Sequence, residues 1–335
     1  MIKKYINRLA AFIAATVLLL TPISAATPEK ICPGGFPFGV KMYTDGVIVS
    51  ALEEVETDSG TVMPGVNAGL KIKDIITEVN GEKTTGALTL SQMIANSAGA
   101  PLTLTVEREG ETVSLTLTPA KCSSDGKYKA GMWLKDSTAG VGTVTYVIPE
   151  TGEFAGLGHG ICDIDTGKPL PLARGIVSGV NISGIKKGSP GSPGELRAGF
   201  MGGKVGILTD NRNTGVYGIL SEHPNLKQVE LGKREEICEG KAHIISTLDN
   251  SGAKEYEVEL SAINKSSTGS KSFVVTVTDK ALLEKTGGIV QGMSGSPIVQ
   301  NGKLVGAVTH VFVNDPTRGY GIFIENMLAE AERIK

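Results

Sequence analysis

The run Thr286-Gly287-Gly288-Ile289-Val290-Gln291-Gly292-Met293-Ser294-Gly295-Ser296-Pro297-Ile298-Val299 sets one hydroxyl in a glycine-lined turn ahead of an apolar strand. Glycines on either side let the backbone turn sharply and let a second chain come close. Such a turn can aim the N–H groups of Gly292 and Ser294 at one point, where the oxyanion of a tetrahedral acyl intermediate would sit. A strand follows the serine here, whereas a helix follows it in the Gly-x-Ser-x-Gly elbow of α/β-hydrolases. The simpler alternative is an ordinary Gly/Ser turn between two strands. A nucleophilic serine also needs a base, and the chain has four histidines: His159, His223, His243 and His310. His159 alone stands between glycines, in Gly158-His159-Gly160, which leave its ring open to a substrate. His223 precedes a proline in a polar loop, His243 falls in an alternating stretch, and His310 reads as a packing or specificity residue. An acid should orient the imidazole. Asp279 closes the apolar run Phe273–Val277, fifteen residues before the serine, with Asp163, Asp165, Asp210 and Asp249 as rivals.

The elements around these residues are short and glycine-rich. Forty-four glycines among 335 residues, with only 5% aromatics, favour strands and tight turns over helical bundles. A formal charge of −2 supplies no basic field for nucleic acid. Lys3, Lys4 and Arg8, then an apolar run from Leu9 to about Leu20, then Ser24-Ala25-Ala26, form the layout of an export signal or membrane anchor over residues 1–26. Outside the cytoplasm the four cysteines, Cys32, Cys122, Cys162 and Cys238, can pair in three ways or stay free. No Cys/His spacing suggests a metal site, and no metal or organic cofactor is implied.

Two regions differ in character. Before residue 120, strands are expected over Gly46–Ser50, Asp74–Val79, Leu102–Val106 and Val113–Leu117, with tight turns at Asn80-Gly81 and Glu109-Gly110 and a helix over Leu88–Ala95. Glu53–Met63 is expected to be a loop, and Ser123–Lys127 a linker. The Phe36-Pro37-Phe38-Gly39-Val40 loop, Asn67-Ala68-Gly69-Leu70 and the run Gly69–Gly81 resemble a PDZ domain of bacterial proteases over about residues 32–120. That resemblance implies a peptide-binding loop at Phe38 and Gly39. From residue 128 to 335 many short strands follow, as in a barrel or sandwich, ending in a helix over Glu325–Ile334.

The second region is similar to the stage IV sporulation protein B peptidase family. The similarity rests on Gly158-His159-Gly160-Ile161, Asp165-Thr166-Gly167, Thr278-Asp279, the Thr286–Ile298 run, Gly306–Val311 and Asp315–Ile322. It implies a mainly β fold, a chymotrypsin-like double β-barrel behind a small α+β PDZ-like domain. It implies a triad of His159, Asp279 and Ser294, with Gly292 and Ser294 N–H groups as the oxyanion hole. An acid so near the serine departs from the usual chymotrypsin-like order. The family's role implies an autoprocessing serine endopeptidase. It would be exported to the forespore intermembrane space and cleave a membrane-bound regulator of an intramembrane protease, releasing pro-sigma-K processing. The PDZ-like domain would bind a peptide ligand. Two other readings fit the same layout: a broad extracytoplasmic quality-control protease, and a catalytically silent PDZ-type binding scaffold.

Overall fold

The computed structural model describes residues 30–163 and 167–334. The expected export signal lies outside the described residues, as do Asp165 and Thr166. Among the described residues, no helix is long and apolar enough to cross a membrane. In chain order the principal strands are β1 (Pro37–Leu52), β2 (Ile75–Val79), β3 (Leu102–Arg108), β4 (Glu111–Leu117), β5 (Met132–Val147), β6 (Glu153–Gly156), β7 (Leu172–Ser178), β8 (Gly206–Arg212) and β9 (Gly215–Leu220). They continue with β10 (Gly240–Ser246), β11 (Lys254–Ser261), β12 (Phe273–Val277), β13 (Pro297–Gln300), β14 (Lys303–Phe312) and β15 (Asp315–Phe323). Three helices matter: α1 (Ala87–Asn96), α2 (Lys280–Thr286) and α3 (Ile324–Arg333).

Two closed barrels carry the second region. In the first, β1 pairs with β5, β5 with β6, β6 with β9, β9 with β8, β8 with β7, and β7 returns to β1. In the second, β10 pairs with β11, β11 with β12, β12 with β15, β15 with β14, β14 with β13, and β13 returns to β10. Closure removes the exposed edges that a strand-rich chain must otherwise protect. Alternation fills each barrel. Phe38, Val40 and Met42 of β1 meet Val144, Phe154 and Val177 in the first, and Ile244, Val258, Val275 and Val308 meet in the second. Tyr146 and Tyr217 from the first barrel pack with Ile322, Ile324 and Met327 from the second, so α3 helps to seal the seam.

The N-terminal unit grows out of the same ribbon. Beyond a break in register at Asp136, β1 and β5 stay paired from Ile48–Leu52 to Met132–Lys135. The ribbon then meets β2, which joins β3, which joins β4. Gly46 takes a positive φ of 96° at the bend in β1, where the unit begins. Leu90 and Ile94 of α1 cover Val47, Val49, Leu104 and Val106 on this sheet. The expected turns form at Asn80-Gly81 and Glu109-Gly110, all four residues having positive φ. The segment expected as a loop over Glu53–Met63 contains a small hairpin, Val55–Thr57 with Gly60–Val62.

One expectation is corrected here. The first half of β1 belongs to the barrel and not to a PDZ-like unit beginning at residue 32. Phe38 is 1% exposed and meets Phe154 edge-on, with ring centroids 5.6 Å apart. Gly39 pairs with Val141 on one side and Ser178 on the other. Peptide capture by strand addition needs a free edge; at Gly39 both edges are taken, and Phe38 is paired with Gly142 and its side chain is buried. The four cysteines are free thiols.

Asp74, 1% exposed, is held by Arg108 at 2.7 Å and by the Lys71 N–H at 2.8 Å. Removing the guanidinium strands a buried carboxylate. Arg108→Ala should therefore destabilise the N-terminal unit by about 3 kcal/mol, read as an earlier urea transition.

Candidate active site

Residues 291–296 form a turn whose backbone can be accounted for bond by bond. The Gln291 N–H donates to Gly194 O, Met293 N–H to Val290 O, Gly295 N–H to Val308 O, and Ser296 N–H to Met293 O. The carbonyls are held as well. Gln291 O accepts from Leu196 N–H and Ser294 O from Thr143 N–H at 2.9 Å. Gly292 O accepts from the Thr143 hydroxyl at 2.8 Å, and Gly295 O from the Thr145 hydroxyl at 2.8 Å. Two N–H groups of the turn have no partner among the described residues: those of Gly292 and Ser294. Both residues line the cleft between the barrels, so two unpaired donors side by side next to a serine hydroxyl mark a place for an external acceptor. Gly292 has φ 96° and Gly295 φ 93°. A Cβ on Gly295 would lie 2.0 Å from Thr143 O, so only glycine lets the turn press against β5.

Ser294 and His159 line one cleft of about 450 Å³ between the two barrels, with Gly140, Val141, Ile289, Val290, Gly292 and His310 among its walls. The Ser294 hydroxyl donates to Thr309 O at 2.7 Å. His159 follows Leu157 and Gly158, which take φ values of 68° and 67°; the left-handed pair swings its imidazole out of the barrel and into the cleft. Leu157 pays steric strain in that region, of the kind that gathers at functional sites. His159 Nδ1 lies 2.8 Å from Gly160 O. That contact favours the tautomer with hydrogen on Nδ1, leaving Nε2 as the basic nitrogen. Burial lowers the His159 pKa from 6.5, and the Gly160 carbonyl only partly opposes this.

His310 is the neighbour that sequence reasoning undervalued. The β14–β15 register breaks between Val308 and Val311, and this irregularity directs His310 at His159, ring centroids 4.6 Å apart. Its Nδ1 is buried and unpartnered. Burial, with His159 and Lys271 nearby, pushes its pKa down to about 4.

The structure does not bring Asp279 to the imidazole. Asp279 is the N-cap of α2, and its carboxylate accepts from Leu282 N–H at 2.8 Å and Glu257 N–H at 3.4 Å. It thus braces the helix that leads into the serine turn, while the Gly160 carbonyl stands at His159 Nδ1. Asp210 pairs with Arg212, and Asp249 with Lys285. His223 contacts its own Pro224 carbonyl, and His243 is exposed on β10. Among the described residues, no cluster of His, Cys, Asp and Glu could hold a metal ion.

A second groove, of about 480 Å³, lies on the N-terminal unit between Ser91, Ile94 and Ala95 of α1 and Met132 and Leu134 of β5, with Tyr128–Gly131 at one end. Along Met132–Lys135, β5 pairs with β1 alone, so its other edge is free. Asp136 ties this strand to α1 by accepting from Ala87 N–H at 2.8 Å. Gly131, at φ 65°, stands just before this alternating stretch.

Two six-stranded barrels with a serine turn and a histidine in the cleft between them, joined to a PDZ unit, define a PDZ-containing serine peptidase of the double-barrel type. Comparison with known families agrees. Residues 126–328 match the family described as SpoIVB peptidase S55, and residues 60–108 match the PDZ domain. The chain belongs to the SpoIVB peptidase S55 family and is a serine peptidase. It is 30% identical over 136 residues to a protein of Brucella suis described as a DegP-like periplasmic serine endoprotease, covering 40% of this chain and 26% of that one. It is 36% identical over 80 residues to a regulator of sigma-E protease of Salmonella typhimurium, covering 24% and 17%. The chain thus spans about a quarter or less of these relatives' length. Among solved structures, an HtrA-type protease, AlgW with decapeptide, aligns over 63% of this chain and 55% of that one at 15% identity and TM-score 0.34.

If His159 is the base, it must be neutral to accept a proton, so activity should be lost as pH falls through its pKa. Because burial depresses that pKa, the acid limb of kcat/KM should have its midpoint below 6.5. A midpoint above 6.5 in a pH–rate profile would contradict the placement of His159.

Proposed function

We propose that Ser294 attacks the scissile peptide carbonyl while His159 takes its proton through Nε2, and that the Gly292 and Ser294 N–H groups bind the oxyanion. The observation that carries this reading is the pair of free N–H groups beside the Ser294 hydroxyl, in a turn whose other N–H groups are all occupied. Once it reaches Nε2, the proton is within reach of the leaving amine, as acyl transfer requires. In this reading Asp279, the family's third catalytic position, acts on the turn through α2. The cleft walls of Ile289, Val290, Val311 and Val313 favour an apolar side chain next to the scissile bond.

The same reading places the enzyme outside the cytoplasm, exported or anchored by residues 1–26, where a DegP-like relative is described as periplasmic. Its substrate is a membrane-bound regulator of an intramembrane protease, and itself, in a sporulation signal that ends in pro-sigma-K processing. Membership of the S55 family supports this setting over broad quality control. The PDZ unit recruits a peptide in the groove between α1 and β5, where a free strand edge and an apolar helix face meet.

The test is labelling of the purified chain with an alkyl fluorophosphonate. The parent should be labelled at Ser294 and lose peptidase activity, and Ser294→Ala should show neither labelling nor activity. Proteolysis that survives the substitution would sink the assignment.

A further inference from the structure

Thr143 is buried, at 1% exposure, in the middle of β5, and every polar group it has is spent on the catalytic machinery. Its N–H donates to Ser294 O at 2.9 Å and its carbonyl accepts from Leu157 N–H at 3.2 Å, on the turn that carries His159. Its hydroxyl donates to Gly292 O at 2.8 Å. A buried hydroxyl is unfavourable unless bonded, and valine would fill the same space in a strand at no such cost. The hydroxyl therefore needs a reason, and Gly292 supplies one. Glycine has the freedom to let its peptide plane rotate, and the plane between Gly292 and Met293 lies between the two free N–H groups. The Met293 N–H of that plane bonds Val290 O at 3.1 Å, and fixing the Gly292 carbonyl opposes the rotation from the other side. Thr84 offers an internal comparison outside the site: it is buried in the N-terminal unit and its hydroxyl donates to Ile76 O at 2.7 Å.

We propose that Thr143 is a positioning residue for the oxyanion hole, holding the Gly292 carbonyl back so that the Gly292 and Ser294 N–H groups converge on the substrate carbonyl. This inference rests on the assignment of Ser294 as nucleophile. Thr143 touches no reacting atom and acts through the turn alone. It lies on the strand whose other end, at Met132–Lys135, forms one wall of the peptide groove, so the turn is held by the element that carries the PDZ unit.

The test compares Thr143→Val, Thr143→Ser and Thr84→Val in the full chain, using an alkyl fluorophosphonate and separating the maximal inactivation rate from the concentration for half-maximal rate. A misplaced donor weakens the transition state and not the encounter. Thr143→Val should therefore lower the maximal rate by about 10- to 100-fold and leave the half-maximal concentration within about twofold. Thr143→Ser, which keeps the hydroxyl, should restore the rate to within about threefold of the parent. Thr84→Val, which loses a buried bond of the same kind away from the turn, should lower the melting temperature and leave the rate nearly unchanged. Equal rates for Thr143→Val and the parent, or equal losses in the two valine variants, would overturn the proposal. A parent not labelled at Ser294 would instead defeat the peptidase reading itself, so the two failures are distinguishable.

Discussion

The antiparallel pairing of β1 with β5 is the constraint on which the rest of the molecule depends. Two sixteen-residue strands run through both bodies: their barrel ends close the first barrel, and their far ends enter the sheet of the PDZ unit. At about 3.3 Å per residue, each spans on the order of 50 Å. Register shifts at Trp133/Leu134 and Lys135/Ser137 interrupt the pairing, and the partners change at Asp136 and Gly46. On the barrel side Phe38, Val40 and Met42 point into one core, and on the PDZ side Val47 and Val49 point into another. A one-residue slip of either strand would turn both sets outward together. The ribbon therefore fixes two cores and the turn at Ser294 in a single register.

That register explains how a soft, glycine-rich segment can hold catalytic geometry. Residues 286–296 contain four glycines; Ile289, Val290 and Met293 anchor the segment in the second barrel's core, and its backbone groups are bonded to four different elements. α2 feeds the segment under its Asp279 cap. The strand Glu195–Phe200 receives Gln291, β14 receives Gly295, and Thr143 and Thr145 of β5 take three carbonyls. Each bond contributes about 1 kcal/mol net. Their number, more than the strength of any one, leaves the turn a single arrangement. Buried groups on both barrels are needed, so the site exists only where the barrels meet.

Much of the fold was legible in the sequence, because strands announce themselves by alternation and hairpins by residues that tolerate positive φ. Asn80-Gly81, Glu109-Gly110 and the terminal helix all stand where the sequence put them. So does the double barrel, which the family resemblance implied, where the short alternating runs alone left a barrel or a sandwich open. His159 and Ser294 were legible for another reason: glycines around a polar residue in an apolar setting are hard to explain by packing. What the sequence concealed is partnership. Phe38 and Gly39 look like a loop before a strand, and only the pairing of both with neighbouring strands and the burial of Phe38 show that they belong to the barrel. Asp279 stands at the end of a strand-like run, but the three residues that follow begin a helix, and a carboxylate there caps that helix. His310 and Thr143 sit in ordinary strand patterns, and their contacts reach across about 150 residues, beyond any periodicity. The PDZ groove was hidden by its own linker: Ser123–Lys127 reads as a boundary, but Ser124 and Lys127 line the groove.

The central claim is that Ser294 works against an oxyanion hole formed by two backbone donors that the rest of the molecule leaves free. The most direct measurement is a crystal structure of the phosphonylated enzyme. The account predicts a covalent bond from Ser294 Oγ to phosphorus, with one phosphonyl oxygen about 2.7–3.1 Å from both the Gly292 and Ser294 nitrogens. An adduct on another residue, or a phosphonyl oxygen turned to solvent with both N–H groups unengaged, would contradict it.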